Sequence, residues 1–433
     1  MSNMVGVGPF ITIPLIIASM GGPQCMLGWV LGAVIALCDG LVWSELAASM
    51  PATGGTYVYL REAFKKTVFL DIRLGGLLPF LFIWQFIFSG PLEIASGYIG
   101  FAQYIGYFWH GMGTGATRAV SMSVGVVVIV LLYRRVTSIG KLTVVLWAGM
   151  LLTVLWVIFA GLSHFNTKVV FDFPPGAFRF STGFVAGLGS ATLIAMYDFL
   201  GYYDICYVGG EVKNPGHVIP RSIVYSVLGV AAIYALTNLG LIAVVPWREA
   251  VHSKFIASDF MLKLYGARAA SGVTVLVLWT ALASVFALLF GYSRIPYAAA
   301  MNGDFFKVFA RLHPRGEFPH ISLLVMGGLS IVACLWTLDD VITALVTSRI
   351  IIQFIAQIFA LGYLRRTQPE MPRPFKMWLY PLPSAIAFVG WAFLFLTSGW
   401  KFAGFGVLTL MAGVGAYWIW TRSTHDISES RAD

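Results

Sequence analysis

The amino-acid sequence predicts an all-α integral membrane fold, and three observations carry that prediction. Of 433 residues 58% are hydrophobic and only 11% charged, whereas soluble domains carry about 25% charged residues. The apolar residues gather in runs of spanning length, roughly 17–25 residues each. The lysines and arginines fall in short loops between those runs. A net charge of +9 could suit a nucleic acid, but cations scattered over loops make no patch, and nucleic acid is not an expected partner. Positive-inside topology explains them better.

About twelve spans are expected. They run near Met4–Ser19, Met26–Ser49, Leu74–Ile105, Ala119–Tyr133, Leu142–Leu162 and Thr182–Gly210. The second half follows near Ile219–Val245, Ser271–Ala300, Ile321–Trp336, Val341–Leu364, Leu379–Leu396 and Phe402–Trp420. Loop charge orients them. Alternate loops hold Arg61, Lys65, Lys66, Arg73, then Arg134, Arg135, Lys141, then Lys213 and Arg221. The same side takes Arg294 to Arg315, Arg365 to Lys376, and Arg422 with Arg431, against far fewer cations opposite. This places the C-terminus in the cytoplasm of a multi-pass cell-membrane protein.

No loop is long enough for a soluble head, and neither GxxxxGK[ST] nor HExxH occurs, so ATP-driven transport or zinc proteolysis is not expected. Cys25, Cys38, Cys206 and Cys334 show no metal spacing and read as core thiols. The seven histidines lie in loops or at span ends, without a partner for general-base chemistry. No nucleophile–base pair suggests an enzyme. The apolar start lacks a basic n-region and a cleavage site.

Two spans are interrupted. Gly6-Val7-Gly8-Pro9-Phe10 breaks the first, where glycine and proline free backbone amides that suit a carboxylate. The sixth breaks at Tyr197-Asp198-Phe199-Leu200-Gly201 before resuming as YYDICYVGG. Interrupted helices at matching places in two halves point to a midplane binding site in an inverted-repeat transporter. A charge at that depth costs roughly 2.5–3.5 kcal/mol on insertion scales, so it faces a cavity or a partner. That rule selects Asp198, Asp204, Glu93 and Arg349 as proton-coupling or charge-pair candidates. Asp39 reads as a hydrogen-bond hub. The bland readings stay beside these: Asp198 as a cap on a half-helix, and Glu93 and Asp204 as structural partners of cations such as Arg349. Glu45 and Glu211, near cytoplasmic span ends, are gate candidates or solvated ends. Ser284 reads as a possible ion ligand or as a hydroxyl bonding back to its own helix.

Four motifs in order resemble the amino acid–polyamine–organocation (APC) transporters. They are Gly6-Val7-Gly8-Pro9-Phe10; Glu45-Leu46-Ala47 through Gly54-Gly55-Thr56-Tyr57 to Phe64; Glu211-Val212-Lys213-Asn214-Pro215 to Ile223; and Ser293-Arg294 through Asn302-Gly303. The stretch Tyr197–Asp204 looks closest to the L-type amino acid and polyamine uptake branch. The resemblance implies a five-plus-five, LeuT-like inverted repeat. Residues 1–163 would form the first repeat and 180–366 the second, with two extra helices over 378–421 and a tail from 422. It also implies secondary transport of an amino acid or polyamine; the expectation is an amino acid moved by alternating access with a proton, needing no cofactor or metal. By the same resemblance the Gly6, Val7 and Gly8 amides would meet the substrate carboxylate, with Phe10 also in the substrate site. The break at Asp198, Phe199 and Gly201 would offer carbonyls to its amino group, with Tyr197 as aromatic gate over the substrate. A polyamine carrier and a non-transporting amino-acid sensor are the alternatives. Relatives usually carry about a dozen more residues before the glycine break, so a truncated gene model is expected. Some proton-coupled relatives carry a lysine in the fifth span; here Lys141 stands only at its entrance. Nothing specifies an oligomer.

Overall fold

The computed structural model describes residues 4–69, 72–133 and 139–429. The expectations placed on Met1–Asn3, Arg134, Arg135 and Arg431 lie outside the described residues, as does the side chain of Lys141. The chain is a helical bundle, and each of the twelve expected stretches contains helix. Its first six long elements are α1 (Gly8–Met20), α2 (Met26–Ser49), α3 (Thr56–Phe64), α4 (Leu74–Ile105), α5 (Thr114–Leu132) and α6 (Ile139–Ser163). Next come α7 (Thr182–Phe199), α8 (Pro215–Val244), α9 (Ile256–Tyr265), α10 (Ala267–Tyr292) and α11 (His320–Ala333). The tenth stretch is composite: α12 (Leu338–Arg349), a π-helical segment Ile350–Ile355, and α13 (Ala356–Thr367). Helices α14 (Leu382–Thr397) and α15 (Trp400–Glu429) complete the chain.

Among the described residues seven helical stretches are long and apolar enough to cross a membrane, and four shorter apolar helices accompany them. Thr182–Phe199 belongs to neither group, because Asp198 and a run of glycines lower its hydropathy.

Local chemistry sets the ends. The Phe184 amide donates to Ser181 Oγ at 3.1 Å, capping α7. Gly21, with φ +66°, closes α1 in the left-handed conformation that glycine adopts freely. Pro215 opens α8, where its missing N–H costs nothing. Pro79 and Pro91 lie inside α4, freeing backbone carbonyls in mid-helix.

The packing has a regular order. α1 lies on α7, α2 on α8, α4 on α10 and α5 on α11. In each pair the partners are five stretches apart in the expected span order. Side chains such as Val126, Val130, Leu408, Met411 and Ile419 face outward and form an apolar belt suited to lipid.

Candidate functional site

The site begins at the two chain breaks, which meet. Residues 4–7 precede α1 without forming helix, and Met4, Val5, Gly6 and Val7 are buried. Opposite them α7 stops at Phe199, Leu200 turns to extended backbone, and Gly201 takes φ +100°, open to glycine. One turn, Asp204–Tyr207, resumes the helix.

Asp198 joins the two breaks. Its Oδ2 accepts from Thr12 Oγ1 at 2.6 Å, while Oδ1 has no protein partner and lies against Gly8, so a Cβ there would collide with it. A carboxylate at the first turn of α1 faces the positive end of the helix dipole. The Tyr234 hydroxyl sits between the carbonyl oxygens of Asp198, at 2.8 Å, and Met4, donating to one or the other. The Phe10 carbonyl accepts from Tyr104 at 3.0 Å. Phe199 packs edge-on to Trp29 and Tyr234. Tyr197 shares a 2.8 Å hydrogen bond with Ser96.

A second cluster lies between α4 and α12. Arg349, 1% exposed, pairs with Glu93 through Nη2 to Oε2 at 2.8 Å. Its Nε donates to Ser89 Oγ at 3.1 Å and Nη1 to the Tyr203 hydroxyl at 3.3 Å. The Tyr292 hydroxyl donates to Glu93 Oε2 at 2.7 Å. Arg349 stands where α12 passes into the π-helical segment, a distortion frequent at functional sites. So deep an ion pair persists only with further hydrogen bonds on both partners; here Ser89 of α4 and Tyr203 of the sixth-helix break accept from Arg349, and Tyr292 of α10 donates to Glu93.

Beside this cluster is a cavity of about 540 Å³, open at one end. Asp204, Tyr207, Tyr292 and Ser284 line it, and so, toward its mouth, do Thr53, Tyr57, Arg294 and Asn302. Of the sequence candidates Asp204, Glu211 and Ser284 line it; Gly6, Val7, Gly8, Phe10, Tyr197, Asp198, Phe199 and Gly201 do not. Ser284 bonds back to Thr280 O at 2.9 Å, the bland alternative. At the mouth Tyr57 donates to Asp304 Oδ2 at 2.5 Å, and Arg61 Nη1 reaches the same oxygen at 3.0 Å. Asn302 Nδ2 donates to the Tyr57 hydroxyl at 3.0 Å. Burial, with Asp304 adding to it, pushes the Tyr57 hydroxyl up to about 12. Gly54 N–H donates to Tyr207 O at 3.0 Å, tying the chain before α3 to the resumed turn.

Glu45 is fully buried. It takes Arg365 Nε at 2.8 Å and Nη2 at 2.5 Å, the Met377 amide at 2.8 Å, and has Arg373 at 3.7 Å. Glu211 is exposed and has no ion pair among the described residues. Asp39 accepts from Tyr202 at 2.5 Å, with the indoles of Trp43 and Trp391 approaching the same carboxylate. No His, Cys, Asp and Glu cluster among the described residues could hold a metal ion.

Sequence reasoning missed Tyr57, Asn302 and Asp304 as a cluster. Tyr57 and Asn302 stand inside quoted motifs, but nothing in their spacing says they meet. Gln85, Gln353 and Gln357 were also missed. Their signal was three buried amides in otherwise apolar stretches.

A family model described as amino acid permease matches residues 1–419. The chain is 23% identical to a branched-chain amino acid permease of Bacillus subtilis, aligned over 99% of this chain and 93% of that one. It is 24% identical to a serine/threonine exchanger of the same organism, over 96% of this chain and 93% of the relative. With the aspartate-proton symporter of that organism it shares 25%, over 89% of this chain and 75% of the relative. The chain therefore belongs to the amino acid permease family within the APC superfamily, a family of multi-pass membrane transporters and not of enzymes.

Proposed function

We propose that this chain is a secondary active transporter of amino acids, working by alternating access with the proton as coupling ion. One observation carries the mechanism: the cavity reaches Tyr292, whose hydroxyl donates directly to the buried Glu93–Arg349 pair. The cavity volume lies in the range of small-molecule sites, roughly 300–1,000 Å³. By loop charge its mouth faces the cytoplasm. The pairing of α1 with α7, α2 with α8, α4 with α10 and α5 with α11 supports a twelve-span reading with an inverted repeat.

A substrate entering the cavity sets its ammonium group toward Asp204 and its carboxylate toward Tyr292 and Arg349. The carboxylate competes with Glu93 for the guanidinium. Glu93, left buried without its counter-ion, is then stabilised by taking up a proton. Substrate and proton thus favour each other's binding, which is the linkage a coupled carrier needs. The seat at Gly6, Val7 and Gly8 serves the oppositely open state, since here Asp198 fills it. Tyr197 gates the passage between the two states, while Glu45 with Arg365, bonded here although the mouth is open, ties α2 to the end of α13, and Glu211 meets solvent. The relatives described above are named for amino acids, which favours an amino acid over a polyamine.

The test is a cavity block. A Cβ added at Gly291, which lines the cavity, meets nothing within 4 Å. Gly291→Phe should abolish uptake of a radiolabelled amino acid panel into proteoliposomes while the protein still folds. Uptake persisting at wild-type rate would remove the cavity from the pathway. Putrescine or spermidine blocking uptake where amino acids do not would favour a polyamine carrier, and amino-acid binding without uptake a sensor.

A further inference from the structure

A polar stripe crosses the α4–α12 interface and continues beyond the charged pair. On α4, Gln85, Ser89 and Glu93 recur every four residues. Facing them, Arg349, Gln353 and Gln357 do the same through the π-helical segment into α13. All six are buried, and α4 packs on α12 and on the π-helical segment. The stripe ends at Thr56 of α3, whose hydroxyl donates to Gln357 Oε1 at 2.6 Å. Along the chain directions of α4 and α13 it therefore runs from Glu93 toward the end that carries the cavity mouth. None of its residues lines the cavity, which touches the stripe through Tyr292, bonded to Glu93, and through Tyr57, next to Thr56 in sequence.

The stripe is not satisfied by protein. Both amide atoms of Gln85, both of Gln353 and Nε2 of Gln357 lack a partner of hydrogen-bonding geometry, although Gln353 lies beside the Tyr203 hydroxyl. Each such group costs about 1–3 kcal/mol when left buried and unpaired, whereas an apolar residue of similar shape costs almost nothing. Buried polar groups of this kind are the ones that hold internal water, which needs two to four polar partners. Two glutamines facing Ser89, Arg349 and Tyr203 provide that number.

We infer that Gln85, Ser89, Gln353 and Gln357 line a hydrated track that carries protons between Glu93 and the Thr56 end, apart from the substrate cavity. The inference rests on the proton-coupled reading above. The step balances without any redox partner. A track water gives its proton to the Glu93 carboxylate as Arg349 turns to the substrate, and bulk water at the exposed Ala52–Thr53 stretch, just before the buried Thr56, replaces it. The reverse transfer returns the proton. The charged and titratable groups that face Glu93 are Arg349 from α12, Tyr292 from α10, and Tyr197 and Tyr203 from the broken sixth helix, with Asp204 near Tyr203 and Tyr292.

The test compares two transport modes in proteoliposomes, with labelled leucine, serine and aspartate as probes and a lumenal pH dye. Self-exchange needs no net proton movement, while gradient-driven uptake does. In Gln85→Met with Gln353→Met, exchange should stay within about twofold of wild type while gradient-driven uptake and proton flux fall about tenfold or more, as removal of a relay requires. Gln85→Asn with Gln353→Asn keeps the polarity and should retain most of the flux. Should the methionine pair fail to fold, each single methionine variant takes the same reading. Equal loss of both modes, or undiminished proton flux in the methionine variant, overturns the track. Wild-type exchange with no proton flux overturns the proton-coupled reading itself, and the track with it.

Discussion

Arg349 and Glu93 form a thermodynamic unit that a double-mutant cycle resolves. Arg349→Met removes the 2.8 Å ion pair and the bonds to Ser89 and Tyr203, leaving Glu93 held by the Tyr292 hydroxyl. Breaking one partner of a buried pair costs about 3–5 kcal/mol, because the survivor is a desolvated charge. Replacing both by apolar residues of similar volume is neutral or stabilising by about 1–4 kcal/mol. Glu93→Met with Arg349→Met should therefore melt near or above wild type, and Arg349→Met alone far below it. With Glu93→Met alone costing as much, the implied coupling is at least about 6 kcal/mol, above the roughly 0.5–3 kcal/mol of ordinary neighbouring pairs. The assay is thermal unfolding of the purified protein in detergent, read beside uptake in proteoliposomes. Both variants should lose uptake, since neither has a guanidinium for the substrate carboxylate. A double variant melting as low as, or lower than, Arg349→Met would refute the claim that the pair acts as one unit.

Gly8→Ala would drive a methyl group into the Asp198 carboxylate, an overpacking cost of about 1–3 kcal/mol; adding Asp198→Gly should recover most of the lost melting temperature, and no recovery would remove Asp198 from contact with Gly8. Tyr57→Phe strips the mouth of the hydroxyl shared by Asp304, Arg61 and Asn302 and should cost about 1.5–3 kcal/mol, the range for bonds to charged groups. Because that hydroxyl is held up to about 12, the difference from wild type should not vary with pH near neutrality. On α9, outside the candidate spans, burial raises the Asp259 carboxyl above its usual 3.8, outweighing the Ser253 hydrogen bond and Lys263. A raised native value means its contribution to stability is fully present below the ordinary carboxylate value and lost as pH climbs through the raised one. Wild type should gain stability as pH falls through that window, and Asp259→Asn should flatten the profile; a profile unchanged by the substitution would exclude Asp259 as its source.

What could be read from the chain was whatever has a local cause. Helix α4 was expected at Leu74–Ile105 and is found there, because its apolar run is uninterrupted by charge until Glu93. The breaks at Gly6–Pro9 and at Asp198–Gly201 announce themselves through glycine and proline chemistry. Arg349 and the intramembrane acids stand out because a charge in hydrocarbon demands a partner, and Glu93 had been named as one such partner. What has no local cause stayed hidden. The cavity is the space left between α10, the resumed turn at Asp204 and the chain before α3, so no single stretch encodes it. The Tyr57–Asp304–Asn302 mouth joins residues about 245 positions apart. Gln85 and Gln353 were passed over because a neutral amide raises no electrostatic alarm, and the π-helical segment at Ile350–Ile355 has no sequence signature. The approach of the Asp198 carboxylate to Gly8 is likewise a tertiary fact.

The most direct measurement is accumulation of a labelled amino acid panel by wild-type proteoliposomes under an imposed inward proton gradient, with and without a protonophore. This account predicts that at least one amino acid is concentrated inside, that proton entry accompanies it, and that the protonophore abolishes the accumulation. Uptake that never exceeds equilibration, or that ignores the protonophore, would contradict it.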